Sequence, residues 1–232
     1  MIEYLESFDR ELLLALNGSD SLFFDGFMWT VTQVLTWVPL YMALVYVVAK
    51  NNRSRHTLVI LLMLGLLILV ADQFASSLCK PYFHRFRPSH DTVIMHLVDL
   101  VRGYRGGSYG FISSHAANTF ALATFLTLVF RQRGMTLCLF SWAVLCSYSR
   151  IYLGVHFPGD ILVGALSGVI EAIVFYRILE FIKSRMTNTR QFFSTAYTAT
   201  GYLASDLYVV YATFGSLLCF SVLRAIYIAP TM

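Results

Sequence analysis

Along the 232 residues, apolar stretches alternate with short polar ones, and six of the stretches are candidates to cross a bilayer. Met28 to Val48 is uncharged and long enough for a hydrocarbon core of about 30 Å. Thr57 to Ala71 is predicted to continue as a helix through Asp72 to Leu78. Ala116 to Phe130 is short and gains length if its helix begins near Ser113. Met135 to Tyr148, Ile161 to Tyr176 and Leu207 to Leu223 complete the set. Spans this short are marginal alone, so tilting and mutual packing are expected. Gly164 and Gly168 form a small-residue step that lets a neighbouring helix approach closely.

Two regions break this pattern. Leu5, Phe8, Leu12 and Leu16 recur at helical spacing among Glu3, Glu6, Asp9, Arg10 and Glu11. The spacing predicts a helix lying in the membrane interface, with an acidic polar face unusual for one that meets anionic lipid. Residues 184 to 206 are polar and hydroxyl-rich, which predicts a loop. With no repeat, low-complexity tract or second domain, residues 1–232 read as one integral-membrane domain. The expected fold is all-α: a polytopic membrane helix bundle of about six transmembrane helices plus an N-terminal interfacial helix.

Composition agrees. The chain is 57% hydrophobic and only 13% charged, too little charge to cover a soluble domain of this size. A net charge of +4, scattered at the ends of apolar runs, points away from nucleic acid and toward a lipid bilayer. Cys79, Cys138, Cys146 and Cys219 show no CxxC pair or metal spacing and read as membrane-core cysteines. The acidic start, Met1 to Glu6, with no short apolar run and cleavage site after it, predicts no signal peptide.

Polar residues concentrate in three stretches where the apolar segments end. The first runs from Lys80 through Arg87 to Pro88, directly after the second segment. The second runs from Tyr109 through Ser113, Ser114 and His115 to Asn118, at the mouth of the third. The third runs from Ser149 and Arg150 through His156 to Asp160, between the fourth and fifth. Parity puts all three on one membrane face, so they can meet in one site.

Such a site suits phosphate. Lys80, Arg87 and Arg150 supply three cations, enough for a phosphate dianion and the extra charge of its transition state. Ser113 and Ser114 stand where a helix begins, and their hydroxyls and free backbone N–H groups can also grip an anion. Of His115 and His156, one can attack phosphorus while the other protonates the departing oxygen. Asp160, four residues after His156, can accept its second ring N–H and fix the tautomer. No carboxylate cluster able to hold a metal lies near them, so metal-free, cofactor-free chemistry is expected. Taken singly, each residue has a plainer reading: snorkelling Lys and Arg, Ser113 as a helix N-cap, an interfacial histidine, Asp160 capping the fifth helix. Three such stretches at matched helix ends favour the site.

The motifs resemble those of the type 2 phosphatidic acid phosphatase family. Lys80, six residues, then Arg87-Pro88 matches its first motif, and Ser149-Arg150, five residues, His156, three residues, Asp160 matches its third. The second is similar to the family's Pro-Ser-Gly-His but reads Ile112-Ser113-Ser114-His115. The motifs cover residues 80–160, and the six-segment layout extends the likeness over most of the chain. The resemblance implies His156 as nucleophile through a phosphohistidine, Asp160 as its orienting partner and His115 as acid for the leaving group. It implies Lys80, Arg87, Ser113, Ser114 and Arg150 as phosphate ligands. The family also includes soluble vanadium-dependent haloperoxidases, a reaction this membrane composition argues against.

The implied activity is hydrolysis of a membrane lipid phosphate monoester or pyrophosphate: undecaprenyl pyrophosphate, phosphatidylglycerol phosphate, phosphatidic acid or lipid A. The alternative is a non-catalytic phospholipid-binding or transport protein, for which two histidines and an orienting aspartate have no use. The loop over residues 81 to 112, with His84, Arg85, His90, Asp91, Asp99, Arg102, Tyr104 and Arg105, is where headgroup choice is expected. Asp72 and Glu171, acids inside predicted helices, are left outside the site. Of the lysines and arginines, nine fall on the face away from the site and eight on its face. Setting aside the three phosphate ligands leaves nine against five, which predicts a multi-pass protein of the cell (inner) membrane with its active site toward the periplasm or exterior.

Overall fold

The computed structural model describes residues 2–186 and 196–231, and these are mostly helical. The helices are α1 (Ile2–Leu16), α2 (Leu22–Val31), α3 (Val38–Asn51), α4 (Ser54–Gln73), α5 (Lys80–Phe83), α6 (Ser114–Phe130), α7 (Arg133–Tyr152), α8 (Pro158–Met186) and α9 (Ala204–Ile228). Among the described residues, α3, α4 with α5, α6, α7, α8 and α9 run between the two ends of the bundle, and four of these stretches (all but α6 and α7) are long and apolar enough to cross a membrane. Lys50 at the end of α3 meets Asp206 at the start of α9 (2.9 Å), and Arg131 beyond α6 meets Glu180 late in α8 (3.2 Å). Those contacts fix one end, and the three polar stretches gather at the other.

The centre of the bundle is α6. Its Ala116, Ala117, Ala121, Ala123, Phe125, Leu126 and Phe130 are all fully enclosed. The outer helices keep a lipid-facing belt, with Leu162, Ile170 and Phe181 of α8 and Leu223 of α9 more than half exposed. Apolar side chains turned outward along whole helices are what a bilayer solvates and water does not. The expected glycine step supplies the tightest seam. A Cβ on Gly168 would collide with the Ala117 carbonyl, and one on Gly164 would lie 2.6 Å from the Ser113 carbonyl oxygen. Only hydrogen at these positions lets α8 lie this close to α6.

The first predicted segment needs correction. Met28 to Val48 is not one helix: α2 ends at Val31, Gln33 is extended, and a 3₁₀ turn over Val34–Trp37 leads into α3. Pro39 is the physical reason. It has no N–H to donate, and its ring would clash with the carbonyl of Leu35, so it serves the first turn of a new helix instead. The second segment holds its predicted extent but widens: Phe74–Cys79 form a π turn before α5. The wide turn accommodates Pro81 just beyond it without ending the helix. The loop expected over 184–206 lies in part outside the described residues; α8 reaches Met186, and Tyr197 and Leu203 bridge a tight turn before α9.

The N-terminal helix forms as expected, and its acidic face acquires a reason. Tyr4, Leu5 and Phe8 point outward, while Asp9 and Leu13 are buried against the protein. Leu13 packs with Ile94, Val98, Ile151 and Phe157. Arg10 donates to Asp91 at 3.0 Å, and Asn17 donates to the Tyr152 carbonyl at 2.7 Å. Part of the charge on α1 is therefore turned toward the polar loop rather than toward lipid headgroups.

Candidate active site

Each polar stretch is delivered by a helix terminus. Lys80 begins α5, and its Nζ donates to the Ser114 Oγ at 3.1 Å. Ser113 is fully buried and caps α6, its Oγ accepting from the Ala116 N–H at 3.4 Å. Its own N–H donates to the Asp160 backbone carbonyl at 3.1 Å, which ties the start of α6 to the start of α8. The two arms of the 81–112 loop run side by side: Arg87 N–H donates to the Ser108 carbonyl (3.0 Å) and Gly110 N–H to the Arg85 carbonyl (2.9 Å). A Cβ on Gly110 would lie 2.9 Å from Asp160 Oδ2, so this arm can pass the site only as glycine.

The nucleophile candidate sits in the short link between α7 and α8. His156 is 1% exposed, with its Nδ1 3.4 Å from Asp160 Oδ2 and its Nε2 3.3 Å from Arg87 Nη1. A guanidinium can only donate. Nε2 must therefore be the acceptor, which leaves the proton on Nδ1, facing the carboxylate. The free lone pair of His156 points at the arginine that would hold a phosphate, which is the tautomer an attack on phosphorus requires. Burial, then the charges of Arg87, Arg150 and Lys80, push the His156 pKa well below the ordinary value of 6.5. The imidazole is neutral when the site is empty.

Arg87 is also held by the Tyr109 carbonyl (3.1 Å) and the Val155 carbonyl (3.2 Å). Burial and the neighbouring Arg150 both disfavour its charge, a penalty that a bound phosphate would relieve. Arg150 is 4% exposed and donates through Nη1 to Thr32 Oγ1 at 2.6 Å. Its Nε has no hydrogen-bond partner among the described residues. A buried cationic donor with no partner is available to an anion. Arg150 and His115 line a cavity of about 270 Å³ together with Thr32, Gln33, Val34, Leu35 and Tyr104. Val34 and Leu35 are 56% and 82% exposed, so one wall of the cavity is an apolar lip on the bundle surface.

The structure thus brings Lys80, Arg87, Ser114, His115, Arg150, His156 and Asp160 to one end of the bundle, with Ser113 directly beneath as a helix cap. Asp72 accepts from Asn118 at 3.3 Å and is close enough to Lys80 to act on it by charge, while Glu171 sits farther along α8. Sequence reasoning passed over four residues. Thr32 belongs to the helix break that was not foreseen. Tyr104, placed in the loop, stands 5.8 Å from the Arg150 guanidinium as a ring beneath a cation. Arg85 binds Asp160 Oδ1 at 2.8 Å and Asp9 Oδ2 at 2.6 Å, and Asp9 was placed on an outward face. The one signal for Asp9 was the odd concentration of acid on a helix expected to meet anionic lipid.

Comparison with known proteins gives the chain relatives in sequence and in fold. The family model of the PAP2 superfamily fits residues 59–184. The lipid A 4'-phosphatase of Bacteroides thetaiotaomicron is 41% identical over 187 residues, 80% of this chain and 83% of that protein. The lipid A 4'-phosphatase of Porphyromonas gingivalis is 39% identical over 184 residues, 79% of this chain and 78% of that protein. Among solved structures, Aquifex aeolicus LpxE superposes with a TM-score of 0.55 at 26% identity, covering 72% of this chain and 93% of that one. The transmembrane PAP2-type phosphatidylglycerolphosphate phosphatase of Bacillus subtilis shares the fold, with a TM-score of 0.57 at 21% identity over 81% of this chain and 90% of its own. The chain belongs to the PAP2 superfamily and is one of its membrane lipid phosphatases.

Proposed function

We propose that this phosphatase removes the phosphate monoester at the 4' position of a lipid A-type glycolipid, through a phosphohistidine on His156. The supporting observation is the pairing of the His156 Nε2 lone pair with Arg87, at the end of the bundle where Arg150 and His115 line a cavity with the apolar lip of Val34 and Leu35. The phosphate can enter the pocket while the acyl chains stay in the bilayer. Lipid A is favoured among membrane phosphates because both curated relatives that cover four fifths of this chain carry that name.

Lys80, Arg87, Arg150 and Ser114 hold the phosphate oxygens, and Ser113 shapes the helix start beneath them. The His156 Nε2 lone pair attacks phosphorus in line. The bond to the sugar oxygen breaks, its electron pair leaves with that oxygen, and His115 supplies the proton. Water then attacks the phosphohistidine, His115 takes back a proton, the N–P electrons return to His156, and inorganic phosphate departs. Asp160 carries the compensating negative charge in both steps.

We read the site as facing the periplasm because, with the three phosphate ligands set aside, the sequence puts nine lysines and arginines toward the opposite end against five on the site's side. An impermeant thiol reagent on intact cells tests this with R53C and G107C: labelling is expected at position 107 and not at 53, and the reverse pattern overturns the orientation. The substrate is tested by phosphate release from lipid A, undecaprenyl pyrophosphate, phosphatidylglycerol phosphate and phosphatidic acid in detergent. Loss of one phosphate from the 4' position of lipid A is expected. Preferential turnover of another member of the panel would reassign the substrate.

A further inference from the structure

We infer that Arg85 and Asp9 are positioning residues for the nucleophile, the outer half of a chain Asp9–Arg85–Asp160–His156 that makes the N-terminal helix part of the active site. The inference rests on the reading of His156 as nucleophile and adds to it a second layer drawn from two other parts of the fold.

The geometry is a fork between two carboxylates. Arg85 Nη1 donates to Asp160 Oδ1 (2.8 Å) and Nη2 to Asp9 Oδ2 (2.6 Å), while the guanidinium lies 4.3 Å over the ring of Phe157. Asp9 uses its other oxygen to accept from the Gly159 N–H at 2.8 Å, in the first turn of α8. Asp160 uses its other oxygen for the Phe157 N–H (3.1 Å) and the His156 Nδ1 (3.4 Å). Every carboxylate oxygen in the chain is therefore committed. Asp160 cannot rotate without breaking the Arg85 bond, and Arg85 cannot move without leaving either Asp9 or the Phe157 ring.

The charge pattern also has a purpose. Asp160 is fully buried, with Lys80 and Arg87 close enough to act on it by charge. Without a partner of its own, its carboxylate would be drawn toward those cations and would compete with the substrate. Arg85, which does not line the cavity, supplies that partner, and Asp9 balances Arg85. The phosphate-binding cations are left free, and the imidazole keeps one tautomer. A lysine cannot replace the planar fork, since an ammonium is a single point of charge on a flexible stem.

The test compares Arg85→Gln, Arg85→Lys and Asp9→Asn in the full-length protein, alone and combined with Asp160→Asn. In Arg85→Gln the rate of phosphohistidine formation is expected to fall about 10–100-fold, the scale seen when the outer partner of a metal-bound histidine is removed, on nitrophenyl phosphate and on the lipid alike. KM and inhibition by inorganic vanadate should hold, because Lys80, Arg87 and Arg150 keep their contacts. Arg85→Lys should recover only part of the loss. Added to Asp160→Asn, Arg85→Gln should cost little more, since the group it positions is already gone. A purely structural tie predicts instead a multiplied loss in the double variant and a rate that follows thermal stability; either result overturns the inference. A second readout needs no turnover: nitrogen NMR of labelled histidine should show His156 held as the Nδ1–H tautomer and a mixture in Arg85→Gln. An unchanged single tautomer in Arg85→Gln overturns the inference whatever the activity, whereas a wild-type protein that shows the shift but no turnover condemns the phosphatase reading alone.

Discussion

Asp160→Asn is the substitution for which the structure dictates the outcome most tightly. Both carboxylate oxygens of Asp160 face donors: Arg85 on Oδ1, and Phe157 N–H with His156 Nδ1 on Oδ2. An amide has one oxygen and one NH₂, so it must set a donor against a donor whichever way it turns. With its oxygen toward His156, the NH₂ faces the Arg85 guanidinium. With the NH₂ toward His156, the imidazole must move its proton to Nε2, which then meets the Arg87 guanidinium and has no lone pair for phosphorus. The first orientation forfeits a charge-assisted bond worth ~1.5–3 kcal/mol and leaves a buried donor unmet at ~1–3 kcal/mol. The imidazole also becomes cationic on phosphorylation and loses its anion. Losing that anion and the fixed tautomer should slow phosphoenzyme formation by about 10²–10⁴-fold. The lost bond and unmet donor fall on the folded protein, so the thermal midpoint should also drop, while the rate loss persists well below it. Rapid-quench measurement of phosphoenzyme, beside a melting curve in the same detergent, reads both quantities. An Asp160→Asn enzyme within a few-fold of wild type, or one whose loss merely follows unfolding, would refute the assigned tautomer.

Other consequences are equally open to measurement. His115→Ala should lose much less activity on nitrophenyl phosphate, whose leaving group needs no proton, than on the lipid, by a contrast of ~10²–10⁴-fold, whereas His156→Ala should abolish both; equal sensitivity of the two variants would sink the division of roles. The depressed pKa of His156 keeps its imidazole neutral below 6.5, so its nitrogen NMR signals in the empty enzyme should stay neutral at pH 6, and a midpoint near 6.5 would contradict the buried, cation-ringed site. By linkage, the stability associated with that neutral imidazole is present above 6.5 and is lost as pH falls through the lower folded-state value, which acid melting curves of wild type and His156→Gln can compare. Gly164→Ala would press its new methyl on the Ser113 carbonyl at the start of α6, beside His115. A cost of ~1–3 kcal/mol in stability is expected, with a fall in kcat, and unchanged values of both would show that α6 and α8 are not packed as described.

The helices and the three motif stretches were legible because both leave regular marks. Apolar runs between charged ends give the spans, and termini that converge on one face bring Lys80, His115, Arg150 and His156 together by parity. Gly164 and Gly168 were readable for the same reason, since a small-residue step has one main use in a bilayer. The break after Val31 was missed because uninterrupted hydropathy hid what Pro39 forbids in the backbone. Thr32, at that break, became a partner of Arg150 only through the altered path of the chain. Arg85 and Tyr104 lie in an irregular loop, where no period tells which side chains turn inward. Asp9 shows the limit of periodicity: helical spacing divides a helix into faces, but it does not say which face meets lipid and which meets an arginine 76 positions away.

The central claim is that phosphate passes from a lipid A-type substrate to Nε2 of His156. Quenching the purified enzyme milliseconds after mixing with lipid A radiolabelled at its 4'-phosphate tests it most directly. An acid-labile label on His156, formed before phosphate release and absent in His156→Ala, is the result predicted. Multiple turnovers with no label on His156, or with the label on another residue, would contradict it.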